Sequence, residues 1–149
     1  MGKKNKKSSF QFEYPLRVRN HETDRLGQVL GASFLNYFDI VLTEFLRNLR
    51  FSYPNHWAQD LYTSIKSMEC NFKRSAFYDD ELMISLKIHD IQKEQFQACF
   101  EICQKAGRQS VASGVCCVSL VDPKKCQSIE IPQYFIDALS QYERHTASL

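Results

Sequence analysis

Apolar and polar positions follow two different periods along this chain. From Phe10 to Asn20, Phe10, Phe12, Tyr14, Leu16 and Val18 take alternate positions, the period of a strand with one buried face. Pro15 cannot donate a ladder hydrogen bond, so this strand is expected at an edge or to have an irregular part. Beyond a polar turn at Asp24, Leu35, Phe38, Leu42, Phe45, Leu46 and Leu49 recur at helical steps, which predicts one face of a long helix. The opposite face mixes Asn36, Asp39, Thr43, Arg47 and Arg50 with Tyr37 and Val41, so the helix is expected to be enclosed on more than one side. Tyr53-Pro54-Asn55-His56 breaks the pattern.

Four strand-like runs follow, from Leu61 to Arg74, Glu81 to Ile91, Gln95 to Lys105 and Gln109 to Val121. The short breaks between the last three predict antiparallel hairpins. Leu82, Ile84, Leu86 and Ile88 share one strand face, as do Phe96, Ala98, Phe100 and Ile102, and these faces are expected to cover the helix. Gly114 inside the last run predicts a bulge or a close approach by another backbone. Asp122-Pro123-Lys124-Lys125 is expected to end the sheet, and Ile131-Pro132 to lead into a short helix through Phe135, Ile136 and Leu139. One strand, one long helix and an antiparallel meander make an α+β order.

At 149 residues the chain has the length of one ordinary domain. Eleven Phe, seven Tyr and one Trp are those of a packed globular protein, and a formal charge of +2 does not by itself imply nucleic acid. Residues 1–9, with Lys3, Lys4, Lys6 and Lys7, lack the apolar centre of a secretory signal and are expected to form a disordered basic leader to a domain over 10–149. No window approaches the roughly 20 apolar residues of a membrane span, so a soluble protein is expected. Cys70, Cys99, Cys103, Cys116, Cys117 and Cys126 form no paired C-x-x-C motif and have no His at zinc-ligand spacing. They are expected as reduced, mostly buried thiols in a cytoplasmic protein.

The segment from His21 to Val29 carries the candidate chemistry, because it places the Asp24 carboxylate just ahead of the long helix. A helix N-terminus offers unpaired N–H groups and partial positive charge to a developing oxyanion, while a nearby carboxylate attacks or activates water. That suits hydrolysis of an activated acyl group. No Ser lies in a G-x-S-x-G turn, and His21, His56, His89 and His145 are expected as structural or surface groups. Tyr78-Asp79-Asp80 reads as a hairpin turn rather than a metal site.

Three blocks carry a family resemblance. Val18 to Val29, continuing through Phe34-Leu35-Asn36-Tyr37-Phe38 to Arg47, has an acidic turn followed by an aromatic helix; Phe72 to Leu82 holds a Tyr-Asp-Asp-Glu-Leu core; Ala112-Ser113-Gly114 runs through to Asp122 and a Pro-initiated helix. In this order they resemble the hotdog-fold thioesterases, in the branch of 4-hydroxybenzoyl-CoA thioesterase and related small acyl-CoA thioesterases. The resemblance implies a curved antiparallel sheet wrapped around the long helix, edge-to-edge dimers that can pair into tetramers, and active sites at the subunit interface. It also implies thioester hydrolysis without metal or prosthetic group.

Carried onto this chain, the resemblance makes Asp24 the nucleophile or general base and the Gly31 N–H the oxyanion donor. Leu30-Gly31 departs from a common subgroup with Tyr-His at these positions; the departure touches substrate type and rate more than reaction class. Glu44 is a candidate second carboxylate, although Arg47 three residues on offers it an ordinary ion pair. Phe34, Tyr37 and Phe38 are candidates for the acyl pocket, with simple core packing as the competing reading. Lys73 and Arg74, with Lys124 and Lys125, are candidates for the phosphates of coenzyme A or the acidic face of a carrier protein.

The primary expectation is therefore an acyl-CoA thioesterase, with hydrolysis of acyl-carrier-protein thioesters as an alternative, since the same pattern also resembles thioesterases that release fatty-acid or polyketide products from carriers. A catalytically weak acyl-thioester binding protein is the reading from outside enzymology, and a hotdog dehydratase fits the Asp24 match less well. No metal, cofactor, nucleic acid or membrane span is expected.

Overall fold

The computed structural model describes residues 12–49 and 62–147, with side chains as far as Ser140. The basic leader, the first two residues of the predicted first strand, Arg50, Leu61, the 53–56 turn with His56, and the His145 side chain lie outside the described residues. The elements are β1 (Phe12–Arg17), a 3-10 turn (Asn20–Glu22), α1 (Gly31–Asn48), β2 (Tyr62–Phe72), β3 (Glu81–His89), β4 (Gln95–Gln104), β5 (Ser110–Asp122), β6 (Gln127–Ser128) and α2 (Gln133–Ala147).

The strands form one antiparallel sheet in the order β1-β3-β4-β5-β2, with β6 added to β5. The predicted meander is β3 to β5. β1 lies at one edge, where Phe12 and Leu16 face Leu86 and Leu82 and Pro15 removes no ladder partner that a second neighbour would need. β2 precedes β3 in the chain but lies at the opposite edge, paired with β5 from Tyr62↔Val121 to Phe72↔Ala112, with a bulge between Ile65 and Ser67. The sheet does not end at Asp122 as the Asp-Pro-Lys-Lys run predicts. Cys126 N–H returns to the Asp122 carbonyl at 2.8 Å, and β6 pairs Ser128 with Val121 and Gln127 with Asp122.

This curved sheet holds α1 against its inner face, the hotdog arrangement that the family resemblance implies. Phe34, Tyr37, Phe38, Val41, Leu42, Phe45 and Leu46 are buried, an unbroken stripe at helical spacing. The stripe is centred toward Tyr37 and Val41, while Leu35, expected on the buried face, is 39% exposed. The sequence has apolar residues on both flanks of the Phe38-Leu42-Phe45 line, and packing selects the Tyr37 flank. Phe38 stacks on Phe100 of β4 with ring centroids 4.5 Å apart.

Gly114 is required by this packing. A Cβ there would lie 2.5 Å from the Glu69 carbonyl oxygen and 2.6 Å from Phe38 Cε2, so the expected close approach involves both a neighbouring strand and the helix. At the far end of the sheet, Phe135 of α2 packs on Phe96 with centroids 5.6 Å apart, and Ile131 and Leu139 join the core. All six cysteines are free. Cys103, Cys116 and Cys117 are buried, but Cys126 is exposed in the β5–β6 turn. No helix among the described residues is long and apolar enough to cross a membrane.

Candidate active site

Asp24 begins a tight loop whose ends are tied together. Its N–H donates to the Gln28 carbonyl at 2.8 Å, and Gly27 N–H donates to the Asp24 carbonyl at 3.0 Å. Gly27 takes φ +77°, a conformation that suits glycine in such a turn. The Asp24 side chain completes the loop: Oδ1 accepts from Leu26 N–H at 2.8 Å and from Gln28 N–H at 3.0 Å. Two donors on one oxygen fix the carboxylate plane and leave Oδ2 without a hydrogen bond among the described residues.

The loop is docked onto the strand–turn–strand that leads into β3. Tyr78 N–H donates to the Gly27 carbonyl at 2.7 Å, Val29 N–H to the Ala76 carbonyl at 2.8 Å, and Gln28 Nε2 to Ser75 Oγ. Chain direction then turns into α1. Leu30, at the cap position, has no side-chain acceptor, and the first turn holds no acidic residue. The Gly31 N–H therefore makes no hydrogen bond among the described residues, and it stands at the positive end of an 18-residue helix.

An open cavity of about 350 Å³ lies at this helix start, lined by Gln28, Val29, Gly31, Phe34, Phe72, Lys73, Arg74 and Ser75. Phe34 and Phe72 form an aromatic wall with centroids 5.4 Å apart. The Phe72 ring folds over the helix start: a Cβ on residue 31 would touch its Cζ at 3.5 Å. Lys73 and Arg74 are exposed at the rim, with Arg74 Nη1 donating to Gln109 Oε1 at 3.0 Å.

The structure thus gathers Gly31, Phe34, Lys73 and Arg74 around one cavity. Asp24 does not line it but hydrogen-bonds Gln28, which does. Tyr37 and Phe38, candidates for the pocket wall, are instead fully buried behind it. Phe38 is held by Phe100 and Gly114, and Tyr37 Oη donates to Glu22 Oε2 at 2.5 Å. Burial, reinforced by that carboxylate, pushes the Tyr37 phenol far above its ordinary range. Glu44 lies thirteen residues beyond Gly31, roughly 20 Å along the helix axis at ~1.5 Å per residue. There it pairs with Arg47, Nε to Oε2 3.3 Å.

Sequence reasoning missed Gln28, Phe72 and Ser75 as lining residues and Glu22 as the carboxylate beneath the helix start. Phe72 had a local signal, an aromatic residue at a strand end directly before Lys73-Arg74. Glu22 had none, because its partner Tyr37 is fifteen residues away. Among the described residues no group of three or more His, Cys, Asp or Glu is placed to hold a metal ion.

A carboxylate fixed in a loop, a free N–H at a helix start and a cavity with an aromatic wall and cationic rim are the components of an acyl-transfer site. The profile of the thioesterase-like superfamily matches residues 18–139, and the chain belongs to that superfamily. Acyl-CoA thioesterase YbgC of Haemophilus influenzae is 30% identical over 82 residues, covering 54% of this chain and 60% of that protein, so the matched part spans less than two thirds of its length. An Aquifex aeolicus protein of known structure, AQ1494, is similar at 26% identity and TM-score 0.76 over 86% of this chain and 98% of that one. The 1,4-dihydroxy-2-naphthoyl-CoA thioesterase of Synechocystis shares the fold with TM-score 0.78 at 22% identity, covering 87% of this chain and 95% of its own.

Proposed function

We propose that this chain is an acyl thioesterase that hydrolyses acyl-CoA esters at the α1 start. The observation that carries the reading is the free Gly31 N–H opening onto the cavity beside the fixed Asp24 loop, in a member of the thioesterase-like superfamily. The acyl group lies against Phe34 and Phe72. Lys73 and Arg74 meet the phosphates of the CoA moiety, where several charge-assisted contacts are available.

The thioester carbonyl oxygen is placed at the Gly31 N–H. In the general-base route, Asp24 Oδ2 takes a proton from water as the water oxygen adds to the carbonyl carbon, and the helix terminus stabilises the oxyanion. The oxyanion collapses, the C–S bond breaks, and the thiolate receives the proton. In the nucleophilic route, Asp24 adds to the carbonyl, expels the thiolate and leaves a mixed anhydride that water hydrolyses. Both routes use the same free carboxylate oxygen and the same N–H.

A second copy of the chain completes the site in this reading. Leu26 is 75% and Phe72 58% exposed, and Leu30, Phe77 and Tyr78 are exposed around the same loop, an apolar surface that a lone subunit leaves in water.

The test is thiol release from a panel of aromatic and aliphatic acyl-CoA esters, wild type beside Asp24→Asn. Asn still accepts the Leu26 and Gln28 N–H groups, so the loop is kept while the base is lost. A fall of roughly 100-fold or more in kcat supports the reading. Full turnover by Asp24→Asn would falsify the Asp24 role. No release from CoA esters, with release of the same acyl group from an acyl-carrier protein, would move the substrate to the carrier; tight binding with neither would leave a binding protein.

A further inference from the structure

We propose that Glu22 is a positioning residue for this site, fixing the start of α1, and with it the Gly31 N–H, against the Asp24 loop. The inference rests on the thioesterase reading for what the N–H does, but not for what holds it.

A helix start ordinarily receives its acceptors from a capping side chain. Here Leu30 supplies none and the first turn has no acid. Glu22, in the 3-10 turn two residues before Asp24, supplies them from outside the helix. Its backbone carbonyl accepts from Leu30 N–H at 3.0 Å and from Ser33 Oγ–H at 2.8 Å. Its Oε2 accepts from Tyr37 Oη–H at 2.5 Å, one turn beyond Ser33 on the same buried face, and from Arg19 N–H at 2.9 Å. One residue thus grips α1 at the cap, the first turn and the second turn.

The Glu22 side chain is 16% exposed and Tyr37 is fully buried, so their bond is shielded from competing water, while the bond to Arg19 N–H lies at the surface. On the other side of Asp24, the loop is tied by Gln28 to the Asp24 backbone and carboxylate. The short path from Glu22 through Asp24 to Gly31 is therefore held at both ends, once by Glu22 to the helix and once by Asp24 to Gln28. Without the Glu22 side chain, the backbone carbonyl still accepts from Leu30 and Ser33 but is no longer anchored to Tyr37 and Arg19. The helix start can then shift relative to Asp24, while Phe72, Lys73, Arg74 and Ser75, the cavity residues outside the loop and α1, stay in place. The effect belongs in the reacting step rather than in ground-state binding.

In wild type, Glu22→Ala, Glu22→Gln, Tyr37→Phe and the Glu22→Ala/Tyr37→Phe double variant, thiol release is measured at a temperature where all are equally folded, beside amide exchange across residues 30–37. The expected result is a fall of about 10- to 100-fold in kcat for Glu22→Ala with KM within about 3-fold. Glu22→Gln, which keeps an acceptor oxygen, restores most of it, and the double variant is no slower than Glu22→Ala. Exchange at 30–37 rises in Glu22→Ala and returns in Glu22→Gln. Wild-type kcat in Glu22→Ala, or a loss that Glu22→Gln shares in full, overturns the proposal. If wild type releases no thiol, the thioesterase reading fails by itself; raised exchange in Glu22→Ala then still supports the clamp, and unchanged exchange overturns it.

Discussion

Single residues in this fold carry consequences out of proportion to their size, and Gly114 is the plainest case. A methyl group there meets a strand carbonyl at 2.5 Å and the Phe38 ring at 2.6 Å, and neither is the free end of a flexible side chain. Gly114→Ala is expected to cost about 1–3 kcal/mol by overpacking, lowering Tm by roughly 3–10 °C in a domain of this size, read by thermal circular dichroism. Cys116 makes a second residue-scale prediction. Burial, with smaller contributions from Cys117 and the Asp39 carboxylate, pushes its thiol from 9.0 up to about 11. The folded state then keeps the proton where an unfolded chain gives it up. This stability is fully present below pH 9 and lost as pH rises toward 11. Urea midpoints are expected to fall between pH 9 and 11, and Cys116→Ala to flatten part of that fall; a slope unchanged by the substitution would refute the assignment.

At the scale of elements, what was legible in the sequence was whatever depends on local period. The two-residue alternation in β3 and β4 and the helical recurrence in α1 are set by neighbours a few positions apart, so their existence and inner faces could be read from Leu82 to Ile88, Phe96 to Ile102 and Phe38 to Leu46. The turn around Asp24 was legible for the same reason, whereas Gly31 was reached only through the family resemblance. The rest depends on distant partners. β2 pairs with β5 rather than with β3, its neighbour in sequence, and the Glu22–Tyr37 bond joins a loop to a helix face; no local pattern encodes either. β6 is two residues long and has no period to detect. The choice of flank in α1 is testable by one substitution made twice. Leu42 is buried and Leu35 is exposed, so Leu42→Ala is expected to cost about 2–5 kcal/mol and Leu35→Ala under about 1 kcal/mol, both by urea denaturation. Equal costs would mean that the helix presents the Leu35 flank to its core.

For the whole molecule, the two edges of the sheet differ in a way that bears on assembly. β1 is six residues long, carries Pro15, and points Glu13 and Arg17 outward, features that discourage further pairing. β2 is eleven residues long and has no proline; it exposes Ile65 and Phe72, beside exposed Lys66 and Glu69 and the bulge at Ile65–Ser67. An edge of that length, without proline, can still template another strand over its Met68–Phe72 half beyond the bulge, and the apolar surface around the Asp24 loop lies at the same end of β2 as Phe72, a cavity wall. Pairing through β2 would cover an open edge and an exposed apolar surface together, and would tie the wall of the site to assembly. The chain is therefore expected to sediment at no less than twice its 17.4 kDa mass at micromolar concentration. Ile65→Lys, which removes an exposed apolar side chain from β2 and adds a second charge beside Lys66, is expected to shift it toward monomer and lower thiol release in proportion. A wild-type monomer with full turnover would show that the site is complete in one chain, and that the exposed residues around Asp24 serve the substrate alone.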